Sequence, residues 1–169
     1  MEWTGARYAD KPTVGAETWI EAPPERVWAL VADVEAMPSM SDELQSIEWQ
    51  DGATGPAVGN TFIGRSRHDA LGEWQSTSFV VECEEPRVFG WAVADPEEPS
   101  ALWHFRLEPR DGGTQLSQTM QMGPGRSGLS FAIDRMPDKE QKIVFVRLRE
   151  FESAIIDTLA QIKKRIESS

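Results

Sequence analysis

Apolar and polar residues alternate with a period of two in the segment TVGAETWIE, residues 13–21. Such alternation is typical of a β-strand with one buried face. The residues on its apolar side are Val14, Ala16, Thr18 and Ile20. The next segment, APPERVWALVAD, has apolar residues at helical spacing behind two prolines, which end the strand and suit the first turn of a helix. The pattern predicts a strand and a helix, and the proline-containing EAMPSMSDE predicts a second short helix.

Six further runs of strand length follow between residues 44 and 122, and each ends in a turn that contains Gly, Pro or Asp. The runs are LQSIEWQD, GNTFIGRSRH, EWQSTSFVVECE, RVFGWAVA, ALWHFRLEP and TQLSQTMQM. Connections this short join antiparallel neighbours, because a parallel crossover needs about a dozen residues or more. The pattern therefore predicts a six-stranded antiparallel meander.

The last part of the chain, residues 138–166, has the pattern of one long amphipathic helix. Its apolar residues recur at steps of three and four: Val144, Leu148, Phe151, Ile155, Leu159, Ile162 and Ile166. Pro137 suits the start of this helix, and residues 130–136 are a candidate for a shorter helical turn before it. Only the long helix is large enough to cover one face of a seven-stranded sheet.

The segment GPGRSG, residues 123–128, matches the G-x-G-x-x-G pattern of a dinucleotide-binding turn. That turn requires parallel strand-helix-strand units, whereas this segment follows an antiparallel meander near the end of the chain. The spacing of Glu150 from the glycines, typical of a ribose-binding acid, is then a coincidence. We predict instead a hinge beside the DALG and DPEEPS turns, with glycines that allow the segment to act as a gate.

Composition narrows the possible partners and locations. The 169 residues suit one domain over residues 13–169, after an N-terminal extension over residues 1–12. The net charge of −11 repels phosphate backbones, so no nucleic acid partner is expected. Cys83 is the single cysteine, which excludes an internal disulfide. With no apolar run of about 18 residues, we expect a soluble cytoplasmic protein without integral membrane association, as a monomer or homodimer.

The order of elements, with the segments IEAPPERVWALVADVEAMPSMSDEL, FIGRSRH and LWHFRLEPRDGGTQLSQTM, resembles the START-like (SRPBCC) superfamily, in its polyketide cyclase/dehydrase and lipid-transport branch. The resemblance covers residues 13–166. It implies the α+β helix-grip fold (Bet v 1/START-like): a seven-stranded curved antiparallel sheet around a long C-terminal helix, with two short helices after the first strand. It also implies a cavity between sheet and helix for a small hydrophobic ligand. Met40 departs from the family, where relatives often carry tryptophan.

Alternation along the strands predicts which side chains face this cavity. Phe62 sets the inner face of the third strand, which places Arg65 and Arg67 outside, and Glu82 marks the outside of the fourth strand. The predicted ligand-binding residues are Phe62, Gly64, Ser66, His68, Phe79, Val81, Phe89, Trp91, Trp103, Phe105, Met120, Met122, Phe131 and Leu148. Aromatic walls with few polar groups are typical of an apolar ligand site. The alternative is that these side chains form an ordinary core.

Ser66, His68 and Gln118 are the candidates for chemistry on the predicted inner faces. Ser66 and His68 project side by side and could orient a carbonyl group or move a proton. The alternatives are an exposed imidazole for His68 and a hydrogen-bonding role in the core for Gln118. His68 and His104 fall on opposite faces and make a poor metal pair, so no metal and no cofactor are expected.

Two functions remain open from the sequence. The first is a carrier that binds a lipid, polyketide or isoprenoid molecule without changing it. The alternative is a polyketide cyclase, aromatase or dehydratase that acts in the same cavity, where enclosure holds reactive atoms close together. The carrier needs only the apolar cavity, whereas the enzyme also needs convergent polar groups. Related aromatases use guanidinium groups on inner strand faces, a pattern that the outward Arg65 and Arg67 do not reproduce.

Overall fold

Seven β-strands and three α-helices follow one another in the order that the sequence pattern predicts. The computed structural model describes residues 1–169. The strands are β1 Thr13–Ile20, β2 Leu44–Trp49, β3 Thr61–His68, β4 Gly72–Glu84, β5 Val88–Val93, β6 Ala101–Arg110 and β7 Gly113–Met122. The helices are α1 Pro24–Val31, α2 Gly128–Arg135 and α3 Glu140–Glu167, with 3-10 helices at Tyr8–Asp10, Val34–Met40 and Pro137–Lys139. The predicted second short helix is the 3-10 segment Val34–Met40.

The strands form one antiparallel sheet in the order β1-β7-β6-β5-β4-β3-β2. Strands β2 to β7 are a meander, as their short connections predict, and β1 joins them beside β7 with Val14 opposite Met120. Helix α3 lies across one face, which we call the inner face, and buries Val144, Leu148 and Ile155 in the core. The predicted α+β helix-grip fold is confirmed. None of the helices is both long and apolar enough to cross a lipid bilayer.

Two prolines turn the chain from β1 into α1. Pro23 takes an extended conformation (φ −69°, ψ 155°) directly before the helix, and the next proline is the first helical residue, where its missing N–H group costs nothing. The carbonyl of Ala22 accepts a buried hydrogen bond of 2.8 Å from Thr114 Oγ1. This bond gives the buried carbonyl a partner at the point where the chain reverses direction. The helix then packs on the sheet, where Trp28 meets Phe89 edge-on at 6.2 Å.

A β-bulge in β4 shifts its pairing with β5 by one residue, between Val80 and Glu82. Before the bulge, Val80 lies opposite Trp91 on the inner face. After it, Cys83 lies opposite Phe89 on the same face. The extra residue therefore reverses the relation between residue number and face within one strand.

The bulge overturns part of the predicted inner surface. Phe79 and Val81 were placed inside by counting from Glu82, and this prediction is wrong. Phe79 lies on the outer face, because Ser78 and Val80 take the inner positions, with 4% and 2% of their surface exposed. Val81 is the extra residue of the bulge, and it is not among the side chains that pack against the core.

His104 on β6 occupies space on the outer face that Gly90 on β5 leaves open. A Cβ atom on Gly90 would lie 2.6 Å from the ring Cδ2 of His104, so a larger residue there would push the imidazole aside. The ring Nε2 lies 3.0 Å from Glu82 Oε1, and Arg106 lies 4.0 Å from the same carboxylate. Burial lowers the pKa of His104 below its ordinary value, and Arg106 lowers it further, although Glu82 acts in the opposite direction.

This lowered pKa predicts a pH dependence of stability. The unfolded chain binds a proton on His104 more readily than the folded chain does, so the free energy of unfolding should fall as pH drops below about 6.5. Replacing His104→Asn should remove this part of the dependence. We expect the difference in melting temperature between pH 7.5 and pH 5.5 to be smaller in the variant than in the wild type. An equal difference in both proteins would contradict the assignment.

Residues 1–12, the N-terminal arm, run along the first half of α3. The indole of Trp3 meets the ring of Phe145 edge-on at 5.2 Å, and Gln141 Nε2 donates a 2.7 Å hydrogen bond to the carbonyl of Gly5. Trp3 nevertheless keeps 58% of its surface exposed. The arm is therefore attached to the helix by a few local contacts and adds little to the core.

The GPGRSG segment is bonded to the loop between β5 and β6. The N–H group of Gly125 donates to the carbonyl of Pro99 at 2.8 Å, and a Cβ atom on Gly125 would lie only 2.1 Å from the carbonyl oxygen of Glu98. The hydroxyl group of Tyr8, from the N-terminal arm, donates to the carbonyl of Gly125. The predicted position beside the DPEEPS turn is confirmed, and the antiparallel sheet excludes a dinucleotide fold. A gating role for the segment stays a prediction.

Candidate functional site

The inner face is unevenly buried along its strands. At one end the inward side chains keep part of their surface accessible: Ser66, His68, Trp74, Trp103 and Phe151. Further along the interior, Phe105 and Leu148 are each only 1% exposed. The half-buried residues come from the end of β3, the start of β4, the start of β6 and the first half of α3. We call this region the open end.

Aromatic side chains line the open end. Trp103 stacks on Trp91, with ring centroids 6.1 Å apart and planes 8° from parallel. Phe151 on α3 meets Trp103 edge-on at 5.7 Å. Trp74 shares the inner face because it lies directly opposite Ser66 in the pairing of β3 with β4. These rings provide a large apolar contact surface with few rotatable bonds.

A buried arginine lies above this aromatic surface. The side chain of Arg147 on α3 is 8% exposed, and it donates two hydrogen bonds to one carboxylate, from NH1 to Glu43 Oε2 at 3.0 Å and from NH2 to Glu43 Oε1 at 2.6 Å. NH1 also lies 3.5 Å from Glu150 Oε1. The guanidinium carbon sits 4.1 Å from the ring centroid of Phe151. Arg147 is thus held in place by a two-point ion pair on one side and an aromatic ring on the other.

Both ring nitrogens of His68 are engaged. Nδ1 accepts hydrogen bonds from the backbone N–H groups of Ala70 at 3.0 Å and Leu71 at 3.2 Å. Since Nδ1 is an acceptor, Nε2 carries the proton, and it donates to Glu150 Oε2 at 2.8 Å. This arrangement confirms that His68 faces the helix. It also leaves no free lone pair with which the imidazole could remove a proton from a ligand.

Gln118 on β7 places an unsatisfied polar atom in the interior. The residue is 6% exposed, and its Oε1 is a buried acceptor with no hydrogen-bonding partner in the protein. On the inner face it lies between Phe105 and Ala16, its partners on the neighbouring strands. A buried acceptor without a donor costs about 1–3 kcal/mol. A bound molecule with an O–H or N–H group would remove this cost.

The structure brings most of the predicted residues to the inner face. Those in the predicted position are Phe62, Gly64, Ser66, His68, Phe89, Trp91, Trp103, Phe105, Gln118, Met120, Met122 and Leu148. Their contact with a ligand stays a prediction. The prediction for Phe131 is wrong, like those for Phe79 and Val81: Phe131 projects from α2, is 64% exposed and lies against Arg126 at 5.6 Å.

Burial and the nearby Glu85 raise the pKa of the Cys83 thiol, so this inner residue is not an activated nucleophile.

Arg147, Glu43 and Trp74 belong to the candidate site but are not predicted from the sequence pattern. Arg147 had a signal, because it lies three residues after Val144 on the apolar stripe of α3, where a charged residue needs a partner. Trp74 was missed because the bulge in β4 concealed the parity of that strand. Glu43 stands in a polar segment and nothing in its sequence context distinguishes it.

A recess of about 460 Å³ lies at the other half of α3, against the edge strand β1. Its lining includes Thr18, Leu159, Lys163 and Glu167. Lys163 is already engaged, since it pairs with Glu167 at 2.9 Å. The recess does not reach the aromatic surface or Arg147, so we take the open end as the candidate site.

Comparisons with known proteins agree with this architecture. A family model described as polyketide cyclase/dehydrase and lipid transport matches residues 11–140. The Polyketide_cyc-like protein Cgl2372 from Corynebacterium glutamicum, solved by NMR, is 30% identical, with a TM-score of 0.67 over 92% of this chain and 91% of that one. No functionally curated protein sequence matches the chain.

Two more distant structures share the fold. The Zhui aromatase/cyclase from Streptomyces sp. R1128 is 18% identical, with a TM-score of 0.61 over 92% of this chain and 95% of that one. Ara h 8.0201 is 16% identical, with a TM-score of 0.58 over 94% of this chain and 99% of that one. At these identities the similarity concerns the fold alone.

Proposed function

The chain belongs to the polyketide cyclase/dehydrase and lipid-transport family, and on this premise we propose that it binds a small, largely apolar molecule between the sheet and α3. The ligand would enter at the open end, where Trp74, Trp103 and Phe151 are half-buried. Such a surface suits the size and apolar character of a lipid, a polyketide or an isoprenoid compound.

The observation that carries this proposal is the unsatisfied Oε1 of Gln118. Buried polar atoms without a partner are rare in folded proteins, and each calls for a physical explanation. Here the acceptor sits on the inner face, beside Phe105 and next to the inward-facing pair of Trp103 and Met120, two residues along each strand. An apolar ligand with one hydroxyl or amine group would fill the interior and donate to this oxygen.

A catalytic role in the same site is the second candidate, because the family includes polyketide cyclases and dehydrases. Ser66 lies on the inner face at the open end and could orient a ligand carbonyl. His68 supports this role less than the sequence suggests, because both of its ring nitrogens are engaged. Catalysis would have to proceed by positioning a reactive chain rather than by proton removal at His68.

Binding of a neutral fluorescent probe, N-phenyl-1-naphthylamine, tests the proposal. We expect a fluorescence increase with the wild type, and an affinity about tenfold weaker in Trp74→Ala, the equivalent of about 1.4 kcal/mol, since a half-buried tryptophan can supply this much contact energy. Gln118→Leu should weaken binding because it removes the acceptor for the probe's amine. Trp3→Ala is the control, since this tryptophan lies on the N-terminal arm, and it should bind as the wild type does.

The outcomes separate the candidate functions. Absence of probe binding to the wild type would refute an apolar site at the open end. Native mass spectrometry of the purified protein should show a bound compound of unchanged mass if the protein is a carrier. Conversion of a poly-carbonyl chain by the wild type, lost in Ser66→Ala without loss of probe binding, would favour the cyclase instead.

A further inference from the structure

We propose that Arg147 recognises a carboxylate group on the ligand, and that Glu43 occupies this position in the empty protein. The inference rests on the proposed function, because it concerns the polar end of the same site. It narrows the ligand to an amphipathic monocarboxylic acid whose apolar part lies against Phe151 and Trp103.

The ion pair between Arg147 and Glu43 has one fixed and one releasable partner. The side chain of Arg147 is 8% exposed, and its guanidinium group is stacked 4.1 Å from the ring of Phe151. The side chain of Glu43 is 30% exposed and comes from the segment between the 3-10 helix and β2. Rotation of Glu43 into water restores the hydration of its carboxylate, whereas Arg147 cannot leave the interior with its helix in place.

The geometry of the pair matches what a ligand carboxylate would need. Glu43 accepts one hydrogen bond on each oxygen, from NH1 at 3.0 Å and NH2 at 2.6 Å of Arg147, the two-point arrangement that a guanidinium group offers to any planar carboxylate. Glu43 thereby shows that the site accepts this group. A neutral alcohol could not replace it, because displacing Glu43 would leave Arg147 with only Glu150, 3.5 Å from NH1, as a counter-charge.

The charge balance also favours exchange of one carboxylate for another. Arg147 has two acidic neighbours, Glu43 and Glu150. Glu150 is the less replaceable of the two at equilibrium, because its other oxygen also accepts a hydrogen bond from His68 Nε2. Replacing Glu43 with a ligand carboxylate leaves the buried charge unchanged, whereas binding an additional anion would add an unpaired charge to an acidic protein.

Aromatic rings continue from the arginine towards the interior. Phe151 lies beneath Arg147, Trp103 meets Phe151 at 5.7 Å, and Trp91 stacks on Trp103 at 6.1 Å. A ligand held by its carboxylate at Arg147 would therefore place its apolar body along these rings. Flat conjugated or aromatic acids fit such a surface better than branched ones.

A matched pair of probes, 2-naphthoate and neutral 2-naphthol, tests the inference by calorimetry at pH 7. Glu43→Gln removes the internal competitor, so we expect naphthoate to bind about tenfold more tightly than to the wild type, because a tethered competitor is present at high effective concentration. Naphthol affinity should change by less than about twofold, since Glu43 does not compete with a neutral probe for Arg147. Glu48→Gln is the control: it removes the same charge from an exposed position on β2 and should leave both affinities unchanged.

Variants of the arginine complete the test. Arg147→Gln should abolish the preference for naphthoate over naphthol, and Arg147→Lys, which keeps the charge but loses the two-point geometry, should reduce it. If both probes bind but Glu43→Gln favours neither, or the Arg147 variants weaken both equally, the carboxylate inference is overturned while the apolar site stands. If neither probe binds to the wild type or to Glu43→Gln, the proposed function fails as well.

Discussion

Replacing Trp91 with alanine should lower the free energy of unfolding by about 4 kcal/mol, near the upper end for a single core substitution. The residue is 6% exposed and lies at the centre of the aromatic cluster on the inner face. Its ring lies 5.3 Å from Phe89, 6.0 Å from Phe105, and 6.1 Å from both Phe62 and Trp103. Deleting it removes buried apolar area and leaves a cavity that four aromatic rings cannot close without changing their packing.

Urea denaturation of the wild type, Trp91→Ala and a control variant, Trp3→Ala, measures this effect. Trp3→Ala is the same substitution at a position that is 58% exposed and has Phe145 as its aromatic neighbour. It should lower the free energy of unfolding by less than about 1 kcal/mol. A cost below about 2 kcal/mol for Trp91→Ala would mean that the cluster is loosely packed, since well-packed Trp→Ala changes cost about 3–5 kcal/mol. The cavity in Trp91→Ala should also bind small aromatic molecules, detectable as a rise in its melting temperature.

The ion pair at the open end should respond asymmetrically to the loss of either partner. We expect Glu43→Gln to cost about 2 kcal/mol, because it leaves the buried guanidinium of Arg147 with only Glu150, at 3.5 Å, as a counter-charge. Arg147→Met should cost less than about 1 kcal/mol. It removes the buried charge, fills its space with an apolar side chain next to Phe151, and leaves Glu43 able to turn into water.

Chemical denaturation of the two single variants and the double variant Glu43→Gln/Arg147→Met checks this asymmetry. The double variant should be close to Arg147→Met, since the glutamate matters to stability only while the arginine is present. Equal costs for both single variants would mean that Glu43 is as confined as Arg147. Equal costs would also weaken the case that a ligand carboxylate can displace Glu43.

The sequence was sufficient for the architecture because periodicity reports burial directly. Strand and helix patterns gave β1 and α3 within a few residues of their bounds, and the short turns gave the antiparallel meander. The same reasoning placed His68 on the inner face, where it contacts α3. It could not show where β1 would pair, because that contact joins the first strand to the last.

Alternation along a strand cannot show where a bulge occurs or which distant side chains pair, and the positions of the site residues depend on both. One bulge between Val80 and Glu82 was enough to put Phe79 and Val81 wrongly in the interior and to hide Trp74. The pairing of Arg147 with Glu43 spans 104 residues, and no local pattern reports a contact of that range. The spacing of Glu150 from the glycines is accidental, and the contact that this residue makes is with His68, 82 residues away in the sequence.

The bonds around the open end also bear on how fast it can exchange its contents. On one side, the Gly125 segment is held by its backbone bond to Pro99 and by Tyr8, so movement there requires several bonds to break together. On the other side, the end of β3 meets α3 through the hydrogen bond between His68 and Glu150, and the side chain of Glu150 is 42% exposed. Side chains of this kind change rotamer within nanoseconds, whereas loop rearrangements take up to microseconds. Uptake and release of the proposed ligand would then be limited by rotation of Glu150 away from His68, while the segment at Gly125 stays in place.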